Sequence, residues 1–335
     1  MMKNLKTTYM GIELKSPIIL GACNMSDDID KLMQAEKSGV GAIVFKSLFE
    51  EQIQLERLQF EERLTQYDHI HAQMITTHPR VEYADSEKHL VNLRKVKEKL
   101  SVPIIASLNA VHEESWLEYA TELASTGVDG LELNLYQVPL DFDKDAREIE
   151  ESQINIVRKI KEKISLPISV KLSSDYTNVL GFIKKMDEVG VDGLVLFNSF
   201  FQPDIDVDSE KHKKIFNLSQ KGDYRKSLRY AGLLYGNIKA DVCSSRGIFT
   251  GNEVVKHLLS GAACIQMVSA VYKKGLEEIS VANNQLSDWM KSKGYNSIDE
   301  FRGKLSQKSL GADSLVYRRA QYVDLLLSSE TIFGD

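Results

Sequence analysis

The stretch Gly190-Val191-Asp192-Gly193-Leu194 decides the predicted fold, because Gly127-Val128-Asp129-Gly130-Leu131 repeats it residue for residue. Residues 39–44 and 261–265 repeat the pattern more loosely, again with a leading glycine and an apolar end. A glycine that follows a helix adopts the left-handed conformation that other residues resist. Each copy therefore predicts the end of a helix and the start of a short apolar strand.

Proline opens the other apolar segments, at Pro17, Pro103 and Pro167. Proline suits the first residue of a strand, where its missing N–H is least costly. With residues 238–242 as a further strand, the two patterns together predict eight strands. Amphipathic segments between the strands predict helices, among them residues 115–125, 145–163, 179–188 and 253–259.

Short apolar strands that alternate with amphipathic helices are typical of a parallel sheet covered on both faces. Eight such units close best as a (β/α)8 TIM barrel of the α/β class. A doubly wound open sheet is the alternative, but its Gly-x-Gly-x-x-Gly turn is absent, and Gly21-Ala22-Cys23-Asn24 follows the first strand instead. The sequence predicts a barrel over residues 1–309 and a C-terminal extension over residues 310–335, with a helix over residues 312–327.

Two predicted connections are too long to be simple turns. Residues 47–86 follow the second strand, and residues 198–225 follow the sixth. Both leave the carboxyl ends of strands, where barrel enzymes build their active sites, and long loops there are typically lids or binding loops. A dimer contact or a disordered segment is the alternative interpretation of either loop.

Charge and apolar patterning argue against several classes of function. The 335 residues carry a formal net charge of −6, without the long basic run of a nucleic-acid-binding protein. No apolar stretch approaches the roughly 20 residues that span a bilayer, and the first residues lack the apolar run of a signal peptide. Cys23, Cys243 and Cys264 are widely spaced, as is typical of reduced thiols in a cytosol. We expect a cytoplasmic protein without nucleic-acid or membrane partners.

Polar residues at the carboxyl ends of barrel strands face the reaction rather than the core. Lys46 and Lys171 each close an apolar strand, so each ammonium group needs an anion or an acceptor nearby. One such lysine usually forms a structural ion pair, whereas two beside three asparagines favour a planar, heteroatom-rich, negatively charged ligand. A flavin fits, because a lysine near its N1/O2 edge stabilises the anionic reduced ring. The candidate residues at strand ends are Ala22, Cys23, Lys46, Ser47, Ser107, Asn109, Asn134, Lys171, Asn198, Ser199, Ser244, Ser245 and Ser269.

The loops after the seventh and eighth strands have the composition of a phosphate site. Residues 244–248 lead through Thr250 and Gly251 into a helix, and residues 267–270 lead into another. Barrel enzymes often bind phosphate on these two loops, where backbone N–H groups and helix N-termini face the anion. An ordinary glycine turn with serine caps is the alternative.

An ordered series of motifs resembles the dihydroorotate dehydrogenase family, specifically its soluble branch, over roughly residues 5–305. The series comprises Phe45-Lys46-Ser47, Glu132-Leu133-Asn134-Leu135, Val170-Lys171-Leu172, Gly247-Ile248-Phe249-Thr250-Gly251, residues 257–262 and residues 294–301. Each motif alone is weakly specific, whereas their order is specific. The resemblance implies a homodimeric FMN enzyme of pyrimidine biosynthesis that oxidises dihydroorotate to orotate, or a related dihydropyrimidine, with hydride passing to flavin N5.

The resemblance also implies roles for individual residues. Lys46, Asn134, Asn198 and Ser199 would bind the dihydropyrimidine substrate. FMN would contact Ala22, Lys46, Ser47, Asn134, Lys171, Asn198, Gly247 and Ser269, and we add Cys23, Asn109 and Arg246 as neighbouring candidates.

The sequence departs from the family where the catalytic base is expected. The family places a cysteine, or a serine in its membrane-associated branch, where Gln137 stands here. Glutamine accepts no proton at neutral pH, and the phenol of the adjacent Tyr136 needs strong activation to do so. The candidate catalytic positions are therefore Tyr136, Gln137 and Lys46. Residues 66–73 replace the family's asparagine-methionine-glycine loop, and Arg246 replaces one glycine of the phosphate-binding pair.

Three histidines in the first long loop invite a metal or acid–base interpretation. His69 and His71 form a His-x-His pair, and His78 follows them. Such a pair in a loop is usually solvated, and no carboxylate at fixed spacing supports a metal. We predict no metal site, and His71 is an alternative base.

Three functions compete on these observations. The leading one is an FMN-dependent oxidoreductase that acts on CH–CH groups. The second is a flavin- or phosphate-binding barrel without redox turnover, since the base is missing while both lysines remain. The third is a flavin enzyme that acts on tRNA uridine, which the acidic charge and the lack of a basic C-terminal domain disfavour. The sequence holds no cysteine cluster for an iron–sulfur centre, so electrons would leave through the open flavin site or a partner subunit.

Overall fold

The computed structural model describes residues 4–55, 84–199, 201–213, 218–318 and 320–327. Eight parallel strands in this part of the chain close into one barrel. The barrel strands are β3 (Ile18–Leu20), β4 (Ala42–Phe49), β5 (Ile104–Asn109), β6 (Gly130–Asn134), β7 (Ile168–Leu172), β8 (Gly193–Leu196), β11 (Asp241–Ser244) and β12 (Cys264–Met267). Two antiparallel hairpins lie outside the barrel: β1 (Thr7–Tyr9) with β2 (Ile12–Leu14), and β9 (Asp204–Asp206) with β10 (Lys211–Lys213).

Helices follow the barrel strands and cover them, so the predicted (β/α)8 barrel is confirmed. The helices are α1 (Ile29–Lys37), α2 (Ala84–Lys99), α3 (Glu113–Ala124), α4 (Ala146–Lys163), α5 (Val179–Val189), α6 (Tyr224–Leu234), α7 (Gly251–Ser260), α8 (Ser269–Lys274), α9 (Glu277–Lys293), α10 (Gln307–Leu310) and α11 (Ala320–Leu327). Short 3-10 helices occupy Asn24–Asp27, Ile298–Glu300 and Gly311–Tyr317. The largest hydrophobic cluster lies between the strands and these helices.

The repeated Gly-Val-Asp-Gly motif acts through its aspartate as well as its glycine. Gly190 ends α5 with a φ of 90°, as the repeat predicts. Asp192 then accepts hydrogen bonds from the Ile168 backbone N–H and from Lys161 Nζ, each at 2.8 Å. In the first copy, Asp129 makes the same two bonds, to Ile104 N and Lys97 Nζ. Each aspartate therefore joins the start of the neighbouring strand to the helix that precedes that strand.

The N-terminal hairpin β1–β2 closes the amino-terminal end of the barrel. Tyr9, Met10 and Leu14 are buried in a second apolar cluster with residues from the barrel interior. A Cβ atom at Gly193 would lie 2.8 Å from both Tyr9 Oη and Met10 Cγ, so a larger residue there would displace the hairpin. The hairpin was not predicted from the sequence, since it is short and lacks a strong turn motif.

The two long connections differ from simple loops. β4 runs to Phe49 and residues 50–55 are helical, so the first connection begins later than residue 47. Residues 56–83, which include residues 66–73 and the histidines 69, 71 and 78, lie outside the described residues. Hairpin β9–β10 lies within the second connection. A lid role for either segment stays a prediction.

The C-terminal segment packs on the barrel near α6. Tyr317 Oη donates a hydrogen bond to the Leu305 carbonyl at 2.6 Å, and Arg229 Nη2 donates to Gln321 Oε1 at 3.0 Å. Within the described ranges, no helix has the length and apolar character needed to cross a membrane. The predicted domain boundary, homodimer and cytoplasmic location stay predictions.

Candidate active site

The carboxyl ends of the barrel strands surround a cavity of about 410 Å³. This volume lies within the usual range for ligand and cofactor sites. Of the fourteen residues to which the sequence analysis gives a catalytic, FMN-binding or substrate-binding role, twelve line it: Ala22, Cys23, Lys46, Ser47, Asn134, Tyr136, Lys171, Asn198, Ser199, Arg246, Gly247 and Ser269. Of the other strand-end candidates, Ser245 lines it as well. Residues that are up to 247 positions apart in sequence meet here because parallel strands of a barrel all end at the same rim.

Two predicted site residues lie outside this cavity. Asn109 is buried, and its Nδ2 donates to the backbone carbonyls of Asn134 at 2.6 Å and Tyr136 at 3.3 Å, so it supports the chain after β6. Gln137 lines a separate cavity of about 190 Å³. Its Oε1 accepts a hydrogen bond from Gln153 Nε2 at 3.1 Å, which holds the side chain away from the larger cavity.

Lys171 is held by two polar residues inside the barrel. Its Nζ lies 3.0 Å from Gln266 Oε1 and 3.4 Å from Glu132 Oε1, and Gln266 Nε2 donates to the second oxygen of Glu132. The side chains of Lys171 and Glu132 are only 10% and 1% exposed. A Cβ atom at Gly21 would lie 3.0 Å from Gln266 Oε1, so glycine leaves room for this group. Because a buried charge needs a partner, the three residues form a fixed, charge-balanced floor for the cavity.

Lys46 lies at the rim of the cavity and is more exposed to solvent than Lys171. The pairing register of β4 with β5 shifts between Phe45 and Leu48, and this irregularity includes Lys46. Lys46 Nζ lies 2.7 Å from Asp27 Oδ1, and the two side chains are 25% and 46% exposed. The Lys46 backbone N–H also donates to Ser26 Oγ at 2.9 Å, which ties the 3-10 turn to the strand.

A chain of amides links the ends of β6 and β8. Asn198 Nδ2 donates to Asn134 Oδ1 at 2.7 Å, and the Ser199 backbone N–H donates to Asn198 Oδ1 at 2.8 Å. Asn134 is buried, whereas Asn198 and Ser199 are half-buried. Amide groups both donate and accept hydrogen bonds, so this row is suited to a ring that carries alternating N–H and C=O groups.

The end of the cavity formed after β11 and β12 carries a positive side chain. Arg246 has a φ of 75°, a conformation that glycine usually supplies, and Gly247 follows with a φ of 63°. Arg246 Nη2 lies 3.7 Å from Asp223 Oδ2, while its buried Nε has no hydrogen-bond partner. An anion with several oxygens would satisfy that Nε, because guanidinium and phosphate match in geometry.

The N-terminus of α7, which the sequence predicts to bind phosphate, already has hydrogen-bond partners within the protein. Glu253 Oε2 accepts the Thr250 backbone N–H at 2.8 Å, and Gln285 Oε1 accepts the Gly251 N–H at 2.6 Å. The first turn of α7 is therefore capped by the protein's own side chains. Ser269 and the Arg246–Gly247 turn line the cavity at this end and can contact a phosphate there.

Cys23 and Tyr272 are two titratable groups beside the cavity that burial keeps in their neutral forms. Burial raises the pKa of the Cys23 thiol, and burial together with the nearby Cys23 raises the pKa of the Tyr272 phenol. Cys23 is therefore a thiol rather than a thiolate at neutral pH. Tyr136 Oη accepts a hydrogen bond from the Phe201 backbone N–H at 3.1 Å, which fixes the phenol at the rim.

Sequence reasoning missed Glu132, Gln266, Asp27 and Tyr272. The first two carried a usable signal: each is an isolated polar residue within an apolar strand, and Glu132 shares the inward face with Asn134 because side chains alternate along a strand. Asp27 and Tyr272 lie on a short turn and a short helix, where no periodicity indicates which way a side chain points.

The donor set fits a flat, heteroatom-rich group with an attached phosphate. A cation and an amide floor lie at one end, and a guanidinium group with an unsatisfied buried N–H lies at the other. The apolar side chains of Phe197, Ile248 and Val268 line the space between them. A flavin mononucleotide has this distribution of a polar ring edge, an apolar body and an anionic tail.

Comparisons with known proteins identify the family. A family model described as Dihydroorotate dehydrogenase matches residues 70–290. A Methanocaldococcus jannaschii protein named Dihydroorotate dehydrogenase B (NAD(+)), catalytic subunit, is 25% identical over 315 residues, which cover 89% of this chain and 97% of that protein. A Lactobacillus delbrueckii subsp. bulgaricus protein named Dihydroorotate dehydrogenase A (fumarate) is 25% identical over 320 residues, covering 91% and 99%. Enzymes of this family are flavoproteins that oxidise CH–CH groups. The predicted resemblance is confirmed, and the chain belongs to the dihydroorotate dehydrogenase family.

Proposed function

We propose that this chain is an FMN-dependent oxidoreductase that oxidises the CH–CH bond of dihydroorotate or a related dihydropyrimidine. The observation that carries the proposal is that Lys171, hydrogen-bonded to Gln266 at 3.0 Å, lines the same cavity as Arg246, whose buried Nε has no hydrogen-bond partner. Membership of the dihydroorotate dehydrogenase family supports the same assignment.

FMN would lie with its ring over the strand ends and its phosphate at Arg246. Lys171 would face the N1/O2 edge, where a fixed cation stabilises the charge that the reduced ring carries. The Arg246–Gly247 turn and Ser269 would hold the phosphate, and Ala22, Cys23 and Ser47 would line the ring. Asn109 would act from behind, by holding the backbone of Asn134 and Tyr136.

The dihydropyrimidine would bind between Lys46 and the amide row. Asn134, Asn198 and Ser199 offer donors and acceptors for its ring amides, and the Lys46 ammonium faces the same space. FMN held by Lys171, Arg246 and Ser269 would supply the acceptor for the hydride that leaves one ring carbon, and the protein would take the proton from the neighbouring carbon, so that a C=C bond remains. Holding the two reacting partners in one geometry is itself a large part of such catalysis.

We assign proton acceptance to Tyr136. It lines the cavity, whereas Gln137, which stands at the family's base position, lines the neighbouring cavity and carries no basic group. The Tyr136 oxygen accepts a hydrogen bond from the Phe201 backbone N–H at 3.1 Å, which holds it at the rim of the cavity. A phenol is a poor proton acceptor at neutral pH, so we expect slow turnover.

The visible spectrum of the purified protein tests the proposal. We expect a yellow protein with one FMN per chain, whose absorbance bleaches on anaerobic addition of a dihydropyrimidine. A colourless protein that takes up no FMN on titration contradicts the cofactor assignment. A yellow protein that chemical reductants bleach, but that no dihydropyrimidine bleaches, supports a flavin-binding barrel without this turnover.

A further inference from the structure

Each cation that lines the larger cavity, within the described part of the chain, already has a carboxylate beside it. Lys46 lies 2.7 Å from Asp27, Lys171 lies 3.4 Å from Glu132, and Arg246 lies 3.7 Å from Asp223. These three are the lysine and arginine residues among the described lining residues. The positive charges of the site are therefore compensated before any ligand binds.

The pair of Lys46 and Asp27 bears on the substrate most directly. Asp27 offers both oxygens to the ammonium, at 2.7 Å and 2.8 Å. The turn that carries it is tied down, because Ser26 Oγ accepts the Lys46 N–H and the Asn24 N–H donates to Tyr272 Oη at 3.1 Å. Asp27 is thus a built partner of Lys46 and is not a mobile surface charge that happens to lie nearby.

A carboxylate on the substrate would have to share this ammonium. Two carboxylates on one cation leave a net negative charge, and like charges placed side by side oppose binding. Lys171 offers no substitute, because Glu132 and Gln266 already hold it inside the barrel. A ring without a carboxylate avoids the conflict, since Asn134, Asn198 and Ser199 can satisfy its amide groups.

We propose that Asp27 is a specificity-determining residue, which makes this site select uncharged dihydropyrimidines over those that carry a carboxylate. The substrate class is then a cyclic amide of the 5,6-dihydrouracil type, and dihydroorotate is disfavoured. The inference rests on the proposed function, because it takes the dihydropyrimidine to bind against Lys46. Specificity that arises from an unfavourable contact with the wrong ligand is as effective as a favourable contact with the right one.

Equilibrium binding of two aromatic product-type ligands tests the inference without turnover. Uracil and orotate share the pyrimidine ring and differ in the carboxylate. Calorimetric titration of the FMN-loaded protein should give uracil an affinity at least about tenfold higher than orotate. Asp27→Asn should raise the orotate affinity about tenfold or more and leave the uracil affinity within about twofold, because asparagine keeps the shape of the side chain and removes its charge.

A matched variant separates this local effect from a general change in charge. Asp30→Asn removes the same charge three residues away, from an exposed side chain on α1. It should leave both affinities unchanged. Higher ionic strength should narrow the difference between the two ligands in wild type, because salt screens a contact that is half-exposed.

Two outcomes overturn the inference, and they are distinguishable from failure of the proposed function. If orotate binds wild type as tightly as uracil, or if Asp27→Asn leaves their ratio unchanged, Asp27 does not select the substrate. If neither ligand binds and neither dihydroorotate nor dihydrouracil bleaches the flavin in stopped-flow, the proposed function fails and the inference falls with it.

Discussion

The candidate site contains two lysine–carboxylate pairs, one between barrel strands and one between a strand and a loop, and the two pairs lie in different environments. On the strands, Lys171 and Glu132 are 10% and 1% exposed, and Gln266 completes their hydrogen bonds. At the rim, Lys46 comes from a strand but its partner Asp27 comes from a 3-10 turn, and they are 25% and 46% exposed. A lysine and a carboxylate meet in both places, yet only one of the two pairs is shielded from water.

Burial decides what each pair does. In the barrel interior an unpaired charge is costly, so Lys171, Glu132 and Gln266 must stay together whatever binds above them. At the rim, water competes for both partners, so the pair contributes little to stability and is free to influence which ligand binds. We therefore expect the interior triad to be needed for the stability of the fold, and the rim pair to affect which ligand binds.

The largest expected effect is that of breaking the interior pair. Glu132→Gln leaves the Lys171 charge with a neutral partner at a site where the two side chains are only 10% and 1% exposed. Removal of one member of a buried pair typically costs 3–5 kcal/mol, so we expect the free energy of unfolding to fall by about 3 kcal/mol. Urea unfolding of the protein with and without FMN measures it. A loss below about 1 kcal/mol would show that water reaches Lys171 and that the two pairs are alike.

A somewhat smaller effect is expected on the flavin when the interior cation is removed. Lys171→Ala takes away a charge whose stabilisation grows as the ring becomes anionic. We expect FMN affinity to fall by one to two orders of magnitude, roughly 2 kcal/mol, and the reduction potential to become more negative by about 30–60 mV. Spectroelectrochemistry and FMN titration give both values. Lys239→Ala, an exposed lysine that precedes β11 at the other end of the barrel, is the control and should change neither.

The difference between residues on strands and residues on loops also explains how much of the site could be predicted from the sequence. The barrel and its eight strands follow from the alternation of apolar strands and helices, and most of the twelve cavity-lining residues follow from their places at strand ends. Tyr136, Arg246 and Gly247 follow instead from the family resemblance. Gln137 and Asp27 lie beyond strand ends, where tertiary contacts set the direction. Gln153, which lies on α4, donates a hydrogen bond to Gln137. The local sequence around residue 137 does not indicate that contact.

A moderate effect on the rate of flavin reduction is expected when the residue at the family's base position, Gln137, is replaced. Gln137→Cys removes the hydrogen bond to Gln153 and restores the type of base that the family uses. A positioned base contributes about 10²–10⁴-fold, but residue 137 faces the smaller cavity, so we expect about a tenfold faster reduction of the flavin by dihydroorotate.

The pH profile identifies the source of any gain in this variant. A cysteine base should add a rise in rate centred near a thiol's ordinary pKa of about 8.5, which wild type lacks. Gln137→Ser, measured beside it, keeps the small side chain without the thiol. If Gln137→Cys binds dihydroorotate as wild type does yet gains nothing, residue 137 is not the base position, and Tyr136 alone accounts for proton transfer.

The smallest expected effect is on stability, when the rim pair loses its charge. Asp27→Asn should change the free energy of unfolding by less than about 1 kcal/mol, because half-exposed ion pairs are screened by water and salt. The same urea titration used for Glu132→Gln measures it, so the two carboxylates are compared under one condition. The unfolding free energy of Asp27→Asn is to be compared with its ligand affinities. If the variant keeps the stability of wild type but changes the preference between orotate and uracil, Asp27 acts in selectivity and has no structural role. A loss of about 3 kcal/mol, equal to that expected for Glu132→Gln, would instead make the rim pair part of the architecture and remove the contrast between the two regions.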